Sequence, residues 1–107
     1  MAKNLKLTDK VTFSTGTTST GIQLQGTMPL AIVTPVGLAS TTLSFQSSLD
    51  GASWFDLYNG SSLYSLTVAA SRYIALNPDV FESVRYIRII AGSSETAKDI
   101  YIASGER

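Results

Sequence analysis

The 107-residue chain contains no cysteine and no histidine. Without cysteine there is neither a disulfide framework nor a thiolate metal site. Without histidine the usual general base near neutral pH and the commonest metal ligand are missing. Charge is sparse and balanced, eight basic against eight acidic residues, with no block of one sign. The electrostatic footprint of nucleic-acid or anionic-membrane binding is therefore lacking. No apolar run approaches the roughly 18 residues of a membrane span. The opening "MAKNLKLTDK" is basic but has no apolar segment, so no secretory signal is expected, and folding in a cytosol is.

What the chain has is serine, threonine and β-branched residues in a period of two, a pattern that suits half-exposed sheets. In "KVTFST", Val11 and Phe13 share a face; in "GIQLQG", Ile22 and Leu24 do. "TTLSFQSSL" places Leu43, Phe45 and Leu49 inward and Ser44, Gln46 and Ser48 outward. Further short runs follow, separated by turn signals such as "TPVG", "LDGAS", "NGSS" and "AGSSETAKD". The spacing predicts an all-β chain of eight or nine short strands, an antiparallel β-sandwich of jelly-roll-like form. Residues 1–10, with Lys3, Lys6 and Lys10 against Asp9, are expected to be a flexible N-terminal arm before a single domain over 11–107. One helical turn is expected in "NPDVFES", with Asn77 as cap and Pro78 in the first turn.

Two stretches raise functional questions. "MPLAIVTPVGLA" breaks the alternation, because Leu30, Ala31, Ile32 and Val33 run together. Such a strand is either central in the sandwich or covered by another subunit; Leu30, Ile32, Val33 and Val36 form the candidate self-association surface. "SSLDGASWFDLY" pairs a hairpin signal, Asp50-Gly51, with Trp54 and Phe55, one of which is expected to anchor the core. Asp50, Gly51 and Trp54 thus read as turn and core anchor, with no ligand required.

Catalysis finds little to work with. Asp50, Asp56, Asp79, Glu82, Glu95, Asp99 and Glu106 fall mostly in turns or strand ends, where carboxylates are solvated. Asp56, inside "WFDLY", is expected to form a cross-strand ion pair with Arg85 or Arg88. There is no Ser-x-x-Lys motif, no Asp-x-Asp calcium pattern and no phosphate loop, so neither enzymatic activity nor a cofactor or metal is expected. Six further aromatics, Tyr58, Tyr64, Tyr73, Phe81, Tyr86 and Tyr101, leave stacking platforms for a glycan as the alternative.

"SLDGASW" resembles a degenerate Asp-box hairpin, but the residue between Asp50 and Gly51 is missing and the motif occurs once. Over residues 20–102, "STTLSFQSSLDGASWFDLYNG" followed by "SRYIALNPDVFESVRYIRIIAGSS" resembles small bacteriophage capsid decoration (cement) proteins. The order of the second segment is also similar to galactose-binding-like jelly rolls of the discoidin kind. The first resemblance implies a virion protein on the capsid exterior, made in the host cytoplasm, forming a homotrimer and binding the major capsid protein. Lys3, Leu5 and Lys6 of the arm would then make the capsid contact. The alternative is a carbohydrate-binding module or a fibre or adhesin tip domain.

Overall fold

A computed structural model describes residues 6–24 and 26–106. Ten strands follow in order: β1 (Lys6–Thr18), β2 (Ile22–Gln23), β3 (Thr27–Val33), β4 (Thr42–Ser48), β5 (Phe55–Asp56), β6 (Tyr58–Asn59), β7 (Ser62–Leu63), β8 (Ser65–Thr67), β9 (Tyr73–Ala75) and β10 (Tyr86–Glu106). The chain is an antiparallel β-sandwich-like fold, as the alternation predicts. It differs in having ten strands, two of them long: β1 has 13 residues and β10 has 21. The turn signal "AGSSETAKD" does not interrupt β10, because its residues pair with β1 across Gly16↔Glu95 and Thr12↔Asp99.

The long last strand makes the two layers. Its first part, Tyr86 to Ala91, lies against β4; its last part, from Tyr101, lies between β1 and β3. The sheet order β5-β4-β10-β3-β9 therefore curls on itself, with β1 and β2 also on β10 and β8 on β4. Inward positions of β10 are Ile87, Ile89 and Ala91 before the bend, then Ile100 and Ile102 after it. The phase changes across Ala97, whose φ of 52° is left-handed.

Two inner faces meet in one core. Ile102, Ile32 and Ile74 form one row across β10, β3 and β9, with Val11 opposite Ile100 beside it. Leu43 and Phe45 of β4 face them from the other layer, next to Ile87 and Ile89. Phe45, Tyr64 and Phe81 pack as a trio with centroids 5.3–5.7 Å apart, two of the pairs edge-on. Phe81 reaches the core from a single 3₁₀ turn, Pro78–Phe81, capped by the Asn77 side chain, which accepts from the Asp79 amide. The helical turn expected in "NPDVFES" is thus present.

Several expectations are corrected. β1 begins at Lys6, opposite Ser104, so residues 6–10 are strand rather than arm. Strand pairing overrides the charged, tail-like composition there. β3 is interior to its layer, between β10 and β9, and Ile32 is fully buried in the core, so it cannot belong to a self-association surface. Pro29 is tolerated inside this strand because it sits where the register with β10 shifts, between Ala103 and Ser104. Leu49 is 77% exposed and Ser48 is buried, the reverse of the alternation. β4 ends at Ser48, and the Asp50-Gly51 turn bonded to its hydroxyl covers Ser48 and leaves Leu49 outside.

Candidate binding surfaces

The Asp-Gly stretch is a turn held by side chains. Ser48 Oγ accepts from the Gly51 amide at 2.8 Å and donates to Asp50 Oδ1 at 2.9 Å. Asp50 Oδ1 also accepts from the amides of Ala52 and Ser53, at 2.8 and 2.9 Å. These bonds favour the charged form: the Ser53 and Ala52 amides, then the Ser48 hydroxyl, lower the Asp50 carboxyl to about 2. Gly51 takes a φ of 79°, and a Cβ there would also press on the Tyr86 ring at 3.2 Å. The three hydrogen bonds that Asp50 Oδ1 accepts all hold this turn.

Trp54 does not anchor the core, and neither does Phe55. Phe55 is 68% exposed, and Trp54 is half-buried outside the core cluster. The inward residue of this segment is Leu57, whose amide donates to the Phe45 carbonyl at 2.9 Å. Trp54 lies instead on the outer side of the sheet, sandwiched by Gly21 and Arg88. A Cβ on Gly21 would come within 2.7 Å of the indole, and the Arg88 guanidinium stacks 4.5 Å from its centroid. The missed signal is the glycine: only a residue without a side chain lets the indole lie against the β1–β2 connection.

The expected ion pair of Asp56 with Arg85 or Arg88 is replaced by a relay. Gln46 stands opposite both Arg88 on β10 and Asp56 on β5. It accepts from Arg88 Nε at 2.7 Å and donates to Asp56 Oδ1 at 2.9 Å. Glu95 departs further from expectation, being only 1% exposed. Its carboxylate accepts from the Ala39 amide at 3.0 Å, the Ser40 amide at 2.7 Å and the Ser40 hydroxyl. Burial pushes the Glu95 carboxyl up. The Ser40 hydroxyl, the two amides and the charge of Lys98 outweigh that and leave it below the ordinary carboxylate range. This residue pins the β3–β4 connection to β10 and has no open face for chemistry. Among the described residues, no group of three or more His, Cys, Asp and Glu gathers to hold a metal ion.

Seven large apolar side chains are exposed among the described residues, and they fall into two sets. Leu49, Phe55, Tyr58 and Leu63 lie on the segment from the Asp-Gly turn to β7. Leu49 and Phe55 border a hollow of about 390 Å³, whose rim carries the hydroxyls of Ser47, Ser53 and Ser83. Tyr58 and Leu63 face each other in the β6–β7 hairpin. The other set is Val36, Tyr73 and Tyr101, which border a groove of about 860 Å³.

The groove is built by register. Lys10, Tyr101, Val33 and Tyr73 are opposite one another across β1, β10, β3 and β9, so they form one row on the outward side. The neighbouring row on the same face is Ala103, Ala31 and Ala75, the first two of them buried. Asp99 sits at the end of the groove, accepting from Thr12 Oγ1 at 2.8 Å and from Lys10 Nζ at 3.2 Å. Of the four residues assigned to self-association, Val33 and Val36 line this groove, Leu30 is half-buried and Ile32 is in the core. Lys3 and Leu5 lie outside the described residues, and Lys6 is placed only as the first residue of β1. Neither protein-family models nor curated proteins match the chain.

Proposed function

We propose that this chain is a structural virion protein, a decoration (cement) protein that binds the outside of a bacteriophage head and bridges capsomers. The observation that carries the reading is the apolar segment from Leu49 to Leu63, with Leu49 77% and Phe55 68% exposed. Leu49 and Phe55 border one hollow, and monomeric proteins seldom leave large apolar side chains grouped in water without a use for them. Here they stand on a closely hydrogen-bonded sandwich whose net charge is zero, so copies crowded on one shell repel each other little. Individual contacts on a repeated lattice can be modest, because multivalency multiplies them.

In this reading the Leu49–Leu63 segment joins neighbouring copies into a homotrimer, and it replaces the surface first assigned around Ile32. The N-terminal residues Lys3, Leu5 and Lys6 contact the major capsid protein. The protein is made in the host cytoplasm and resides on the capsid exterior. The resemblance of residues 20–102 to decoration proteins supports the same conclusion.

The test is co-sedimentation of purified protein with undecorated heads, together with sedimentation velocity of the free protein at micromolar concentration. Saturable head binding and a trimer are expected, and a Phe55→Ser, Leu63→Ser double variant should lose the trimer while keeping its melting temperature. Deleting residues 2–5 should weaken head binding and leave the trimer intact. A monomer that ignores heads would refute the proposal.

A further inference from the structure

The groove along Tyr101, Val33 and Tyr73 has features that cohesion alone does not require. The two tyrosines sit on alternate strands of one row, their backbone positions about 9.6 Å apart from the strand spacing, with Val33 between them. Tyr73 is 62% exposed and Val36 is 82% exposed, so the walls are open to a ligand. Ser71 and Ala97, the non-glycine residues with left-handed φ (58° and 52°) among the described residues, both line this groove. Backbone conformations of that kind are disfavoured for residues with a Cβ and collect where a surface has a task.

The charges around the groove give the ligand its sign. Asp99 is paired with Lys10, and Lys98 Nζ donates to the Thr96 carbonyl at 3.0 Å. Arg72 makes no ion pair among the described residues: its Nη1 donates to the Ala70 carbonyl at 3.1 Å, and the side chain is exposed. Among the described residues the groove thus carries two cations that make no ion pair, Lys98 and Arg72, beside the two tyrosines. A peptide strand docking on a sheet uses an edge and its free backbone groups. The groove floor is instead a sheet face of rings and methyls, with hydroxyl, carboxylate and guanidinium groups at its margin. That arrangement matches a sugar, whose flat C–H face stacks on tyrosine and whose hydroxyl edge takes hydrogen bonds.

We infer that the Tyr101–Val33–Tyr73 groove binds an acidic oligosaccharide, with sugar rings stacked on the two tyrosines and a uronate carboxylate at Arg72. This inference does not depend on the decoration reading, since the groove lies apart from the Leu49–Leu63 segment. It would give a particle-bound protein a hold on charged polysaccharide.

The experiment is a heteronuclear NMR titration of the whole protein with tetragalacturonate, with neutral cellotetraose and hexaglutamate as parallel probes. Tetragalacturonate at millimolar concentration should shift the amides of Val33, Tyr73, Lys98 and Tyr101 in a saturable way that added salt weakens. Tyr73→Ala and Tyr101→Ala should each weaken binding about tenfold or more. Arg72→Gln should bring tetragalacturonate down to the level of cellotetraose. Circular dichroism melts matching wild type would show that the variants are folded; Tyr73, on a three-residue edge strand, is the safer of the two tyrosines. Equal binding of the neutral and acidic probes would overturn the assignment of charge. Binding of hexaglutamate alone, shifts centred on Leu49 and Phe55, or no saturable shift with any probe would overturn the site.

Discussion

Glu95 offers the sharpest check on the physical account of this fold. Its carboxylate is the hydrogen-bond acceptor for two consecutive amides and a hydroxyl of the β3–β4 connection, at a site sealed from water. Glu95→Ala leaves the Ser40 amide and hydroxyl, themselves buried, without this partner. Ser40 Oγ keeps its bond from the Ser93 amide, and the Ala39 amide is near enough to solvent to find water. An orphaned buried donor costs about 1–3 kcal/mol, and bonds to a charged acceptor lie at the upper end, so the expected loss is about 3 kcal/mol. For a domain of this size that lowers the melting temperature by roughly 10–20 °C. Urea and thermal unfolding of wild type, Glu95→Ala and Glu95→Gln would measure it, with Gln intermediate because it keeps one acceptor oxygen. The sign with pH follows from the lowered carboxyl. The contribution is fully present above the ordinary value of 4.5 and disappears as pH falls through the lower folded value. The gap between wild type and Glu95→Gln should therefore narrow below that pH. A Glu95→Ala protein within about 0.5 kcal/mol of wild type, or a gap that widens in acid, would refute the reasoning.

Other outcomes follow from the same structure. Phe45→Ala removes one ring of the Phe45–Tyr64–Phe81 trio and should cost about 3–5 kcal/mol in a urea titration. Gly21→Ala should push the indole of Trp54, the single tryptophan, off its seat and away from Arg88. Its fluorescence should move to longer wavelength, with stability reduced by about 1–3 kcal/mol. Asp50→Ala should lower the melting temperature, because two amides and a hydroxyl lose their acceptor. The contribution of Asp50 is present above its ordinary value of 3.8 and is lost as pH falls toward about 2, so difference melts across that window should converge.

The local pattern of this chain was legible because period-two alternation and turn chemistry act over a few residues. Val11 and Phe13, Leu43 and Phe45, and Ile100 and Ile102 all point inward as their spacing requires. The Asn77-capped turn was visible in its own five letters. Errors came where a strand ended or changed phase. Leu49 was assigned inward by continuing a rhythm that stops at Ser48. An aromatic pair after a hairpin signal points to a core anchor at Trp54 or Phe55, although the position that faces inward is Leu57. The buried serines and threonines looked like surface hydroxyls. Thr34, Ser40 and Ser48 instead bond backbone groups, and for Thr34 and Ser40 the partners lie more than thirty residues away.

By itself, the sequence determined that this is a β chain with one core, a fixed Asp-Gly turn, and no cysteine or histidine chemistry. Those properties depend on residue type and on neighbours within a few positions. Tertiary structure alone decided that Glu95 is sealed away from solvent. It also placed Ile32 in the core and Val36 outside, and aligned Lys10, Tyr101, Val33 and Tyr73. Each of these depends on which strand pairs with which and in what register. Those pairings join residues as far apart as Lys10 and Tyr101, and a side chain's burial is set by what lies opposite it.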